Sequence, residues 1–275
     1  MEFTAEPSYI LLRGSVTDKG LAGLVGLNGL FALNLDDSKL PVTAAGLKPL
    51  AELPNLGWLG FDATDEAMRY ISAMPRLRML MRQDTSAGDE GFAALSRSQT
   101  IEYIWGRRCY NLQGRGFAAL AAMPALRGLS VSCKNVDDNA LSTLPHFLAL
   151  KEFMPVDVPD NGFRHVGRCR QLEALWCMYC VDTGDTATGH IADLSNLKSD
   201  EAFSTQITDR SLEILGRLPS LEHLNFEHCA GITNAGLASL ATLPRLREVR
   251  IEGAPLVTRE GAAQFPANVR VTFEV

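Results

Sequence analysis

The residues from Leu218 to Leu243 read LPSLEHLNFEHCAGITNAGLASLATL, and the chain runs straight on into LPRLREVRIEGAPLVTREGAAQF. Both stretches carry the same order: Leu-Pro, an apolar strand pattern, a bend, a threonine and a short apolar helix pattern. Leu221 and Leu246 stand 25 residues apart. A repeat of this length describes stacked supersecondary units, because one unit cannot bury both of its apolar faces alone.

Each part of the unit has a physical reason. Leu224 and Phe226 are two apart, so they point to the same side of a strand. Ile232 closes the turn. Thr233 suits a helix N-cap, since its hydroxyl can accept from an unpaired amide of the first turn. Leu237, Leu240 and Leu243 recur every three residues and give one apolar stripe on a short helix. Pro244 has no amide to continue that helix, so the chain turns back.

The first leucine of each strand anchors the repeats at Leu30, Leu56, Leu77, Ile101, Leu126, Leu150, Leu172, Leu197, Leu221 and Leu246. Helix starts are expected at Thr17-Asp18, Thr43-Ala44, Thr64-Asp65, Asp137-Asp138, Asp160-Asn161, Thr208-Asp209, Thr233-Asn234 and Thr258-Arg259. Their acids suit the positive end of the helix dipole, and capping is the role expected of them. The segment Tyr9 to Arg13, followed by Val16 to Leu21, reads as a degenerate first unit. Val269, Val271 and Phe273 alternate over a last short strand. With no linker composition in between, the 275 residues read as a single domain: residues 1–29 as an N-terminal degenerate repeat, 30–265 as about ten repeats and 266–275 as a capping strand.

The units LPSLEHLNFEHCAGITNAGL and IEYIWGRRCYNLQGRGF resemble leucine-rich repeats, most closely the cysteine-containing subtype of F-box proteins and many bacterial proteins. The resemblance covers about residues 9–275. It implies an α/β solenoid, a horseshoe with a parallel concave β-sheet and convex helices. In that family the ninth repeat position holds Asn or Cys, whose side chain bonds backbone at the bend. Cys109, Cys180 and Cys229 match that position, and Thr85 and Thr205 occupy it elsewhere. Fewer than thirty residues precede Leu30, too few for an F-box together with the end unit.

In the pattern L-x-x-L-x-L, positions four and six enter the core, while three, five and seven face outward, because side chains alternate across a strand. All three tryptophans, Trp58, Trp105 and Trp176, fall on outward positions. Met79, Met81, Tyr103, Met154, Met178 and Phe203 join them, with Tyr179 one step beyond and Arg107, Glu201, His223, Glu227 and Arg250 as polar neighbours. Aromatic and methionine side chains gathered on one face mark a contact surface; rings packing on one another under tight curvature is the other reading. Arg82, Gly106 and Pro155 at position six, and Asp200 at position four, break the core pattern. A lone buried Asp200 is costly, so a register shift or bulge is expected there first, and a functional carboxylate second. Pro155 should interrupt the sheet ladder.

The rest of the sequence narrows the function. A net charge of −6 and the absence of a basic stripe speak against nucleic acid. No apolar run approaches the roughly 18 residues of a membrane span, and the start MEFTAEPSYILLRG has no signal-peptide pattern. Six cysteines spread over a large chain suit a reduced, cytoplasmic protein. Cys177-Met-Tyr-Cys180 lacks a second such pair to make a zinc site. His223 and Glu227, four apart on a strand, lie about 13 Å apart, too far to share a zinc ion. Adjacent His228 and Cys229 do not make a converging nucleophile pair. No enzyme activity, cofactor or metal is therefore expected. The expected function is a scaffold binding a protein or peptide in its concave face. Alternatives are a self-associating structural protein, which includes a homodimer, and the recognition part of a larger ubiquitin-ligase-like or effector assembly.

Overall fold

The computed structural model describes residues 8–14, 16–35, 42–81, 84–178 and 180–274. Asp36, Arg82, Gln83 and Tyr179 lie outside the described residues. Contacts sort the chain into two compact units, one reaching to Ala140 and one starting at Leu141.

In the first unit the strands are β1 (Tyr9–Leu12), β2 (Ala32–Leu35), β3 (Trp58–Gly60), β4 (Met79–Met81), β5 (Tyr103–Gly106) and β6 (Gly128–Ser132). They pair in parallel in chain order. Between them lie helices α1 (Asp18–Ala22), α2 (Asp65–Ser72), α3 (Asp89–Leu95) and α4 (Gly114–Ala119); α5 (Asp138–Leu141) follows β6, its last residue being the first of the second unit. The start expected at Thr43-Ala44 leads into a 3₁₀ helix, Ala45–Glu52, with Pro49 inside it. Pro49 has no N–H to donate to the preceding turn, which disfavours an α-helix there.

In the second unit the strands are β7 (Glu152–Val156), β8 (Ala174–Met178), β9 (Ser199–Phe203), β10 (His223–Glu227), β11 (Glu248–Glu252) and β12 (Arg270–Glu274). These too pair in parallel and in order. The helices are α6 (Phe163–Val166), α7 (Asp185–Ile191), α8 (Asp209–Leu215), α9 (Asn234–Leu240) and α10 (Arg259–Ala262). β7 pairs with β8 through Glu152–Ala174 and Phe153–Leu175, short of Pro155, as a residue without an amide donor requires.

All ten anchors are buried, and every repeat strand begins two residues after its anchor. Burying one such leucine contributes about 2 kcal/mol. The leucines at position four, such as Leu33, Leu59 and Leu175, are wholly enclosed. Phe92 and Phe117 fill the core of the first unit; Phe153, Phe163 and Phe226 fill that of the second.

Thr17, Thr64, Thr208 and Thr233 do cap, each accepting from an amide in its own first turn, whereas Thr258 makes no such bond. The aspartates that follow do something else. Asp209 Oδ1 accepts from the backbone N–H of Thr233 at 2.7 Å, and Asp209 Oδ2 from the Thr233 hydroxyl at 2.7 Å. Thr233 starts the next repeat's helix. Asp18 grips Thr43 in the same way, and Asp185 grips Thr208. Asp65, Asp89 and Asp160 reach forward to the amides of Gly88, Gln113 and Gly184. Asn234 takes the same place toward Thr258. The carboxylate thus satisfies amides that have no partner inside their own helix and clamps successive repeats together.

The clamp needs room. A Cβ on Gly236 would stand 2.3 Å from Asp209 Oδ1. At the matching place in α8, Ser211 is accommodated because its hydroxyl donates to Asp185 Oδ1 at 2.6 Å. Gly236→Ala should therefore destabilise the protein by about 1–3 kcal/mol, and by clearly less in an Asp209→Ala background. Urea unfolding of the two single variants and the double variant measures this coupling; strictly additive losses would refute the clamp.

Candidate functional site

Alternation along each strand sets the open face of each sheet. In the first unit, buried Leu59, Leu80 and Ile104 point inward, while Trp58, Met79, Met81, Tyr103 and Trp105 point outward and are half-buried. Register aligns them in two rows. Trp58 pairs with Met79, and Met79 with Tyr103; Met81 pairs with Trp105. Arg107, just past β5, is also half-buried.

The rings lie flat rather than standing in solvent. A Cβ on Gly128 would meet the Tyr103 ring at 2.3 Å, so that ring covers the next strand. A Cβ on Gly60 would meet the Trp58 indole at 2.8 Å. Tyr9 tilts against Trp58, with centroids 6.4 Å apart. These side chains are therefore outside the core, and Trp58 also packs against a neighbouring ring.

The second unit's face holds Trp176 and Met178 on β8 and Glu201 and Phe203 on β9. Trp176 is in register with Glu201, and Met178 with Phe203. The Trp176 Nε1–H donates to Ser199 Oγ at 3.0 Å, which fixes the indole across the strand boundary. Met154 is covered, 8% exposed. Next come Asn225 and Glu227 on β10 and Arg250 and Glu252 on β11. Arg250 donates to Glu252. Glu201 has its ionisation pushed up, first by burial and then by the nearby Glu227 charge, against a hydrogen bond from Asn225 and the Arg250 charge. Glu227 Oε1 faces the His228 ring, 3.9 Å from its Nε2. His223 faces Glu248 at 3.6 Å rather than Glu227.

Where these strands end, the backbone turns left-handed. Asp157 has φ 60°, Ser204 52°, His228 54° and Gly253 60°. The amides of Ser204 and His228 donate to Glu227 and Glu252 carbonyls at 2.8 Å, so the bend continues the ladder between repeats. The His228 ring meets Phe203 edge-on at 5.7 Å, which extends the aromatic surface to the rim.

The sequence matches no protein-family model and no curated protein. Solved structures resemble the fold. One is a chain of the yeast Rad7–Elc1 complex, 14% identical, with a TM-score of 0.59 over 93% of this chain and 77% of that one. Another is the internalin InlF of Listeria monocytogenes, 18% identical, with a TM-score of 0.50 over 83% of this chain and 63% of that one. The fold is an α/β leucine-rich-repeat solenoid.

At Thr85, Cys180 and Cys229, position nine bonds the backbone of the preceding repeat. Cys229 Sγ donates to the Ala202 carbonyl at 3.3 Å and Cys180 Sγ to that of Pro155 at 3.6 Å, each one repeat back. The Thr85 hydroxyl does the same to Ala63 at 2.6 Å. All six cysteines are free and buried. Burial pushes the Cys109 thiol up to about 11 and raises Cys177, Cys180 and Cys229. A thiol held protonated is a poor nucleophile and a poor metal ligand. Among the described residues no three His, Cys, Asp or Glu side chains converge as metal ligands, and no helix is long and apolar enough to cross a membrane.

Asp200 is the departure. No register shift or bulge removes it from the core: it pairs with Leu175 on one side and Leu224 on the other, in the position of a leucine, and is 6% exposed. The unbroken β8–β9–β10 ladder overturns the slipped register that the sequence pattern leads one to expect.

The Trp176–Ser199 contact is testable in the free protein. Trp176→Phe and Ser199→Ala should each cost about 0.5–1.5 kcal/mol, and the double variant little more than either single one. A double-mutant cycle by thermal unfolding reads the coupling, and independent losses would mean that the indole is not tethered.

Proposed function

We propose that the chain is a non-enzymatic protein-interaction scaffold that captures a protein or peptide on the open faces of its sheets. The carrying observation is the placement of all three tryptophans, with Met79, Met81, Tyr103, Met178 and Phe203, outside the core on half-buried outward positions. Aromatic side chains are frequent anchors of interfaces, and methionine adapts to irregular partners. Rings already laid against glycines and neighbours lose little freedom on binding, so less of the contact energy is offset. One structural neighbour comes from a complex of two proteins, which supports the reading.

On the second unit, Arg107's counterpart as a polar orienter is an acidic set. Glu201 and Glu227 stand beside Trp176 and Phe203 with Arg250 engaged by Glu252. A partner arginine placed there would relieve the repulsion between the two acids and stack on an aromatic face. The partner segment is thus expected to carry basic residues next to an apolar anchor. The cysteine-containing repeat subtype, a cytoplasmic location and the reading of 1–275 as a single domain belong to this proposal.

Selection of a displayed random peptide library on the intact protein tests it. Trp105→Ala and Trp176→Ala should lower the affinity of selected peptides at least tenfold, by loss of anchors each worth about 2 kcal/mol, without shifting the unfolding midpoint enough to unfold the chain. Glu201→Gln with Glu227→Gln should flatten the salt dependence of those with basic residues. Peptides that bind both tryptophan variants as tightly as the parent would sink the assignment.

A further inference from the structure

Asp200 lines a cavity of about 20 Å³ inside the second unit. That is room for one water molecule, and a buried water needs two or more polar partners. Asp200, Thr183, Thr188 and Thr205 supply polar side chains; Phe163, Ile191, Ile207 and Leu215 supply the apolar lining. The three hydroxyls are already tied down: Thr183 donates to the Val158 carbonyl, Thr188 bonds Ser211, and Thr205 bonds Cys229. Each keeps further hydrogen-bonding capacity. Among the described residues no hydrogen bond reaches the Asp200 carboxyl, although 94% of the residue is out of solvent. An acid in a leucine's place thus faces a water-sized space edged with hydroxyls.

We propose that this cavity binds one water between Asp200 and the threonine hydroxyls, and that ionisation of Asp200 opens the packing of β8 and β9 against α7. A neutral carboxyl can share one proton with the water and accept in return; a carboxylate in the same place lacks the solvation it needs. Burial, and then the charge of Glu201, push Asp200 up to about 7. The groups around it leave it as the one that decides. Helices α7 and α8 line the cavity with Ala187, Thr188, Ile191 and Leu215, none of which titrates. Strand β8 brings Cys177 and the bend after β10 brings Cys229, both thiols raised by burial and so neutral at neutral pH. Glu201 is itself raised, and its ionisation adds to the effect with the same sign.

The sign follows from the direction of the shift. Below about pH 3 the folded and unfolded chains both hold the proton. As the pH rises toward 7, the unfolded or opened chain releases it and the closed chain keeps it, so stability falls, and the loss levels off above 7. Relative to Asp200→Asn, the opening constant of the wild-type chain should rise about a hundredfold between pH 5 and pH 8. Urea unfolding of the intact protein, with hydrogen exchange at β8, β9 and α7 amides, reads that ratio; parallel pH profiles for the two proteins overturn the gate. Should Asp200→Asn fail to fold, a carbon-13 titration of the wild-type Asp200 carboxyl decides, since a midpoint in the ordinary carboxylate range overturns it equally. Water-to-methyl nuclear Overhauser contacts at Thr188 and Thr205 are expected in the wild type, and their absence there overturns the water site.

Discussion

A side-chain carboxylate at the start of one helix, bonded to the backbone at the start of the next, is the interaction on which the stacking depends. Strand pairing alone fixes the repeat spacing on the sheet side, near 4.8 Å between neighbours. The helix side has no such ladder, because helices satisfy their own backbone except at the ends. Asp18, Asp65, Asp89, Asp160, Asp185 and Asp209 supply the missing bonds at those ends. Asp185 shows the balance of forces. Burial alone would raise it, yet hydrogen bonds from Ser211 and Thr208 together hold it below the usual carboxylate range. Its contribution is present at neutral pH and is lost as the pH falls through that lowered value.

Much of this was readable from spacing. Ten anchors placed from L-x-x-L-x-L are all buried, and the strands start where the pattern puts them. A period of two along a strand and three along a short helix leaves few other ways to hide so many leucines. The sequence marks Asp18, Asp65, Asp160 and Asp209 too, but as caps of their own helices, the role that Asp137 does fill through the Ala140 amide. Their true partners lie 23–26 residues onward, and local sequence carries no mark of a bond that distant. The glycines of the helix starts were the available signal: Gly91, Gly116 and Gly236 each lie one repeat after an aspartate whose carboxyl would meet their Cβ.

The open face was legible in membership and less so in posture. Alternation decides which side of the sheet a tryptophan takes, and it put Trp58, Trp105 and Trp176 outside the core. It does not decide how a ring lies. That depends on what the next strand offers at the same height: glycine at 128 lets the Tyr103 ring lie down, and serine at 199 gives the Trp176 N–H an acceptor. Met154, on an outward position by the same rule, is nevertheless covered. Side-chain orientation on a sheet is a property of neighbouring pairs, and only the register makes those pairs known.

This division of labour explains where chemistry can vary. Positions one, four and six carry burial, and the aspartate and position nine carry the bonds between repeats, so none of them is free to recognise anything. Positions three, five and seven lie across the sheet from the leucine core and, although some such as Met154 and Ala174 are covered, take no part in the clamps. They can change from Trp and Met in the first unit to Glu and Arg in the second without altering the repeat. Asp200 is informative because it crosses that boundary. It places an ionisable group where only burial is required, directly beside outward-facing Glu201, whose charge adds to burial in raising the cost of ionising Asp200. The β9 repeat is therefore the point at which the charge on the open face and the stability of the core are governed by the same electrostatics.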